Sequence, residues 1–413
     1  MSSPAVVRSA QGGRDGTYRV QRAATLAIFV SHGLLFASWT AHIPQIKDHL
    51  GLSVGVLGFA LLGAPLGSVT AMLIVAHLLP RLGSRRMVQI TLLGYCLAGP
   101  LVGLAGSSGA LFAALFAWGA FQGSLDVSMN TQAVTVELTA GRSLMSGFHA
   151  SWSIGAFAGA GIGALGVAAG VSLTSQLLLL AVPVLAVTGP LSLSMLADPR
   201  TGDPSTGAPG QPRGRSPVRL SGPVLVLGSI AFASMLCEGA SADWASVYLR
   251  GSIGVGAAVA GLGYTVFALA MVIVRLSGNR LLAQFPARRL LPALAAIAAA
   301  GFAAGLLGGT SVTVIAGFAC LGIGVALVIP TVNSAAGRLP GMSQGTAIAM
   351  VSACGWAGFV FGPPIIGELA SAFSLTTALG VLPVLAACIA AGTARARALR
   401  SGGPDPVGET AAP

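Results

Sequence analysis

Charge is what this chain has least of. Aspartate and glutamate together number 11 among 413 residues, lysine occurs once, at Lys47, and charged residues of both signs make up 8%. Soluble domains are about a quarter charged, so a chain that meets water over its whole surface is excluded. Cysteine is sparse too. Cys96, Cys237, Cys320, Cys354 and Cys388 all fall inside apolar runs, with neither metal-ligand nor disulfide spacing, which leaves them as small packing residues. The Walker A pattern is missing, so ATP is not the expected energy source. No polar stretch is long enough for a soluble domain, and no nucleophile or metal set is clustered. An enzyme is therefore not expected, nor is a cofactor.

Apolar residues are plentiful instead, at 54%, and mean hydropathy is +0.84. A helix needs about 20 mostly apolar residues to cross a bilayer. Twelve such runs are predicted, over residues 23–44, 54–79, 87–106, 109–134, 146–170, 173–197, 222–249, 255–279, 288–308, 311–336, 345–370 and 374–394. Lipid satisfies no backbone group, which leaves helices or closed barrels. Runs this long without period-two alternation are helices. Glycine, at 58 residues, suits close helix approach in a membrane, and Gly155-x-x-x-Gly159 and Gly358-x-x-x-Gly362 read as such faces.

The net charge of +11 would suit nucleic acid, but its placement does not. Arginines gather before the first run and after the second, fourth, sixth, eighth, tenth and twelfth, whereas the alternate loops hold only Lys47 and Arg250. Cytoplasmic loops carry the excess of basic residues. Both termini are thus expected in the cytoplasm, with the chain multi-pass in a plasma membrane. Arginine in place of lysine, amid much Ala and Gly, suggests a GC-rich bacterial genome and hence a bacterial inner membrane.

Shifted by 203 residues, the chain matches itself without a gap. Asn130 falls on Asn333, Gly58 on Gly261, Gly119 on Gly322, Gly155 and Gly159 on Gly358 and Gly362, and Arg85 and Arg86 on Arg288 and Arg289. A parallel internal repeat in an apolar chain marks a secondary transporter. The expected architecture is all-α and integral to the membrane. It has a cytoplasmic tail over 1–21, a six-helix bundle over 22–197, a cytoplasmic linker over 198–220, a second six-helix bundle over 221–395 and a tail over 396–413. The linker is rich in Pro, Gly and Arg and cannot build a core, and both tails are expected to be irregular. The expected partners are a small-molecule solute, protons and the lipid bilayer, with no nucleic acid, and the expected working unit is a monomer.

After the second run the sequence reads AHLLPRLGSRR, and Arg81, Gly83, Arg85 and Arg86 fit the pattern G-x-x-x-D-R-x-G-x-R-R. On these residues, and over essentially its whole length, the chain resembles the major facilitator superfamily. Ala76 and Pro80 stand where that pattern has Gly and Asp; the second half keeps Arg288 and Arg289 but has Pro286 for the Gly. The resemblance implies a gating role for these loops; topology and lipid headgroup contact are the plainer reading. Within the superfamily the chain is similar to the fucose–proton symporter branch. The residues are Leu125-Asp126-Val127-Ser128-Met129-Asn130, Pro330-Thr331 and the segment from Phe148 to Gly155. That branch has an acid implicated in proton coupling four residues before Asn. It also carries an acid four residues before a Pro-Gln pair, where this chain has Thr40 ahead of Pro44-Gln45, which argues against fucose as the solute.

Ionisable residues inside a membrane are costly and point to function. Asp126 and Asn130, four apart, share a helix face. A dry site favours the neutral form of a carboxylic acid, so an acid that meets water first on one side and then on the other loads and unloads a proton. Asp126 is the first candidate for proton coupling, Glu238 the second, and His32 is in place to pair with Asp126 across helices. Asn130, His149, Trp152, Asn333 and Trp356 are the candidate solute-binding residues, since indole faces stack on sugars, rings and cations. Each has a plainer reading as a polar or aromatic packing residue. Asp243 lies toward the outer face. Arg275 and Glu368, near run ends, are expected to reach the headgroup interface, and Trp39 and Trp244 to serve an interface belt or packing. Proton-coupled uptake of a small polar solute is the leading reading. Proton-driven export of a drug or metabolite is the second. Exporters of the superfamily often carry G-x-x-x-G-P in the fifth helix, where this chain has Ala160 after Gly159; Pro363 follows Gly362 in the eleventh instead. A non-transporting membrane sensor is the remote third, and would call for soluble partner-binding domains.

Overall fold

The computed structural model describes residues 4–140, 144–196, 221–339 and 344–399. The linker expected at 198–220 and most of the tail at 396–413 lie outside the described residues. Among the described residues the helices group into twelve elements, followed by a short 3₁₀ turn at Arg397–Leu399. α1 runs over Pro4–Ser38 and continues through a 3₁₀ turn, Thr40–His42, into Ile43–His49. α2 is Val54–Leu61 followed by Gly63–Leu82, α3 Ser84–Val102, α4 Ser108–Ala140, α5 Met145–Ala168 and α6 Leu173–Ser192. α7 is Gly222–Gly251, α8 Ala257–Gln284 and α9 Ala287–Gly308. α10 is Ser311–Val325 followed by Val328–Ala336, α11 Gln344–Ala372, and α12 Leu375–Leu379 followed by Val381–Arg395. Each predicted run coincides with one of these. Among the described residues, eleven spans are long and apolar enough to cross a membrane. α3 falls short because it opens on Ser84-Arg85-Arg86. One expectation is corrected: residues 4–21 are not an irregular tail but extend α1.

Four of the helices are interrupted, and a proline explains each break. Proline has no N–H to give the carbonyl four residues earlier. Pro44, Pro65, Pro330 and Pro383 strip the carbonyls of Thr40, Leu61, Ala326 and Leu379, and these are the places where α1, α2, α10 and α12 change course.

Contacts among the helices repeat across the two halves. α1 packs on α5 as α7 packs on α11; α2 on α4 as α8 on α10; α3 on α6 as α9 on α12. Glycines make the closest of these approaches. A Cβ added at Gly155, Gly159 or Gly163 of α5 would run into the backbone carbonyls of Val30, Leu34 and Ser38 on α1, and one at Gly358 of α11 into that of Phe232 on α7. With no side chain between them, the backbones gain dispersion contact that lipid tails cannot match. Large apolar side chains such as Leu73, Leu165, Leu179 and Leu307 stay exposed on the outside, which is the surface a bilayer covers.

Two seams related by the repeat join the halves, α2 against α11 and α5 against α8, and the end of α1 also meets α7 and α8. They close the end of the protein that carries residues 50–53 and 252–256. There a Cβ on Gly58 would lie 2.6 Å from the Pro363 carbonyl and 2.9 Å from the Gly367 Cα, and one on Gly261 would lie 2.6 Å from the Ala164 Cβ.

Candidate functional site

Between the halves lies a cavity of about 260 Å³. The repeat governs its lining. His32 and Met235, Phe36 and Gly239, Trp39 and Ala242, Asp126 and Ile329, Asn130 and Asn333, His149 and Ser352, and Trp152 and Gly355 all line it, each pair 203 residues apart. The eight residues singled out for coupling and binding, Asp126, Glu238, His32, Asn130, His149, Trp152, Asn333 and Trp356, therefore share one space.

The first half supplies an aromatic wall. The His32 ring stacks on Tyr95 with centroids 5.5 Å apart, Tyr95 on Trp118 at 5.3 Å, and Trp118 meets Trp39 edge-on at 5.8 Å. On its other side His32 abuts Trp152, which abuts Phe36 at 5.8 Å. Trp152 Nε1 donates to His32 Nδ1 at 2.7 Å. Indole nitrogen only donates, so Nδ1 carries no proton and the ring's proton sits on Nε2, which donates to the Gln122 carbonyl at 3.3 Å. Both ring nitrogens are thereby engaged. His32 does not pair with Asp126, contrary to the sequence-based expectation. It orients Trp152 instead.

Asp126 keeps to its own helix. Asn130 Nδ2 donates to Asp126 Oδ1 at 3.2 Å and to the Asp126 carbonyl at 2.8 Å. Both side chains come from the cavity face of α4, where spacing by four puts them one above the other. Asn333 occupies the matching place on α10, but Ile329 stands where the second half would have its acid.

The second half supplies an ionisable wall. Arg275 was expected at the headgroup interface; α8 carries it instead into the middle of the protein, where it lines the cavity. Its Nη2 lies 3.6 Å from Glu238 Oε2 on α7. Nη1 donates to Ser153 Oγ on α5 at 2.8 Å, and Nε donates to the Ala326 carbonyl at 3.2 Å. That carbonyl is the one Pro330 leaves without an amide, so the break in α10 and the position of Arg275 explain each other. Asp243, one turn beyond Glu238, also lines the cavity. Trp39 lines it too, rather than serving an outer belt, while Trp244 is fully buried in packing and Glu368 is exposed.

The closed end has its own polar contacts. Ser246 Oγ donates to the Thr40 carbonyl at 2.7 Å, the second carbonyl orphaned by a proline, here Pro44. Arg250 Nε lies 3.3 Å from Asp48 Oδ2. At the opposite end His149 is exposed at the cavity's rim. Glu137 Oε2 accepts from the amides of Leu144 and Met145 at 2.6 and 2.8 Å, which satisfies donors at the start of α5 and steadies the helix that carries His149 and Trp152.

The arginine loops lie away from the cavity. Gly83 joins α2 to α3 with φ +77°, a left-handed conformation that favours glycine. Arg81 and Arg86 are exposed and Arg85 half-buried, as Arg288 and Arg289 are exposed at the start of α9. The buried contact at this loop is made by Ser84, whose Oγ donates to Gln132 Oε1 on α4 at 2.6 Å.

Comparison with known proteins agrees with this fold. The Major Facilitator Superfamily signature matches residues 24–339 and 228–412, so the chain belongs to that superfamily, and it is a multi-pass membrane transporter of it. It is 33% identical over 374 residues to an uncharacterised MFS-type transporter of Yersinia pestis, covering 90% of this chain and 94% of that protein. It is 31% identical over 378 residues to the membrane protein MosC of Rhizobium meliloti, covering 92% and 90%. Among solved structures it is similar in fold to a D-xylose–proton symporter, with TM-score 0.71, 12% identity and coverage of 91% of this chain and 98% of that one. A mutant of the nucleoside transporter NupG gives TM-score 0.69, 12% identity and coverage of 90% and 98%.

Proposed function

We propose that this chain is a secondary active transporter that takes up a small polar solute together with a proton by alternating access. One observation carries the reading: a cavity between two repeat-related halves holds Asp126, Glu238 and Arg275 together and is sealed at one end only by contacts between the halves. Contacts of that kind, Gly58 on Gly367 and Ser246 on Thr40, part without unfolding anything. The arginine-rich loops, read as cytoplasmic, make the sealed end the outer one and the protein inward-facing. Asp126 is the proton carrier in this reading, with Glu238 next to it in rank. Its only side-chain partner among the described residues is a neutral amide, which tolerates both protonation states. Trp152, Trp356, Asn130, Asn333 and His149 hold the solute, with stacking on the indoles and hydrogen bonds from the amides. Uptake is favoured over export because Ala160 stands where the exporter pattern has proline.

Reconstituted in liposomes with a trapped pH dye, the protein should move protons when its solute is added and accumulate that solute down a proton gradient. Solute flux indifferent to the gradient would remove proton coupling, and accumulation only against inward proton flow would reverse the direction.

A further inference from the structure

We propose that the solute carries a protonated amine, and that Asp243 together with the corner formed by Trp39 and Trp118 is the subsite that receives it. This rests on the transport reading above and names its substrate class. The cavity contains three carboxyl groups, Asp126, Glu238 and Asp243, against one guanidinium, Arg275. Two of the three acids have protein partners: Glu238 has Arg275 and Asp126 has the Asn130 amide. Asp243 lines the cavity with no hydrogen bond or ion pair among the described residues.

Its position can be fixed. Asp243 precedes Ser246 by three residues on α7, so both share a face. Ser246 bonds the Thr40 carbonyl, next in the chain to Trp39. Asp243 and Trp39 thus lie at the same sealed end of the cavity, and Trp39 meets Trp118 edge-on at 5.8 Å. In a cavity walled by apolar rings the Asp243 carboxyl either holds a proton or meets a cation, because an unpaired carboxylate is costly there. Aromatic faces attract the same cation when it comes within about 6 Å of a ring centre. Three carboxyl groups against one guanidinium disfavour an anion, and with a neutral solute Asp243 has to keep a proton, whereas an amine lets it ionise. The volume, about 260 Å³, is below the roughly 300–1,000 Å³ of drug-sized pockets and points to a compact solute. The amine seats at the sealed end, and the body of the solute lies along the wall from Trp118 to Trp152.

The test uses purified full-length protein in lipid nanodiscs and matched triples that differ in charge on one scaffold. These are glucosamine, glucose and glucuronate; tyramine, tyrosol and 4-hydroxyphenylacetate; and putrescine, butanediol and succinate. Trp39, Trp118, Trp152 and Trp356 all line the cavity, so tryptophan fluorescence reads occupancy and melting temperature gives a second readout. On at least one scaffold the amine should bind about tenfold or more tighter than its neutral and acidic partners. Asp243→Asn should lower that affinity by about tenfold or more, and Asp243→Glu should restore most of it. The proposal is overturned if a neutral or acidic member binds as tightly, if Asp243→Asn keeps amine affinity while melting like wild type, if sodium ion alone reproduces the amine's effect, or if no probe binds. Adding the tightest amine to proteoliposomes separates the two readings. Binding without solute or proton flux upholds the amine subsite and removes the transport reading, whereas flux of a neutral solute alone does the opposite.

Discussion

Arg275 on α8 and Ser153 on α5 are hydrogen-bonded at 2.8 Å, so a side chain of one half is fastened to a side chain of the other at the centre of the protein. The same guanidinium faces Glu238 and fills the carbonyl that Pro330 leaves open. Removing it should therefore do more than remove a charge. Arg275→Ala leaves a buried carboxylate without its counter-ion, a loss of about 3–5 kcal/mol when such a pair is broken from one side. The expected result is a marked drop in melting temperature and loss of transport. Arg275→Gln combined with Glu238→Gln should recover most of the stability but not the transport. If Arg275→Ala melts like wild type, Arg275 is not held as described.

Asp126→Asn keeps the size of the side chain and can still bond Asn130, but it abolishes titration. Solute binding and solute-for-solute exchange should persist, and accumulation driven by a pH gradient should vanish. Uptake in wild-type proteoliposomes should rise as the outer side is acidified, and the mutant should lack that dependence. Gradient-driven accumulation by Asp126→Asn at the wild-type level would move the proton site to Glu238.

Gly58 lets α2 touch α11 at the sealed end, with Gly367 as its counterpart. Gly58→Ala places a methyl group against backbone on the facing helix, where nothing flexible can give way. The two halves should part there. Spin labels at positions 51 and 254, on the two loops of that end, should show a longer-distance population than in the unsubstituted background. An unchanged distance distribution would mean that this seam does not hold the end shut.

Asp48 and Arg250 also bridge the halves at that end, but their side chains are 53% and 37% exposed. Such pairs contribute about 0–1 kcal/mol. Asp48→Asn should shift the same label distances far less than Gly58→Ala, and its small shift should shrink further in high salt. A larger effect from Asp48→Asn would rank the ion pair above the glycine contact.

The architecture was legible because membrane burial leaves coarse marks: long apolar runs, alternating arginine loops, and a 203-residue register that brings Asn130 and Asn333 to one cavity. Asp126, Glu238 and His149 stood out for a related reason, since each is an ionisable group in an apolar run. Arg275 did not, because hydropathy shows that a residue lies in a helix but not which way that face turns. An arginine in a run reads equally well as reaching for headgroups. The clue was elsewhere in the chain, in Pro330, which frees a carbonyl that some donor must fill. His32 was legible as a cavity residue but not as a partner of Trp152, for the sequence carries no distances. Of the two readings of Trp39, belt or packing, packing against Trp118 is the one observed, and its place in the cavity wall was not legible from a position near a run end.

Most of the aromatic wall comes from one half of the molecule, and Glu238, Asp243 and Arg275 come from the other. In the alternating-access reading, any solute that fills the space touches two bodies that tilt against each other, and it belongs to neither. Its binding free energy and the free-energy difference between the arrangements of the halves are then linked quantities: the solute shifts that difference by as much as its affinity differs between the arrangements. Cargo bound between these walls is thus a component of the moving part, and an empty protein and a loaded one are expected to differ in how readily they turn.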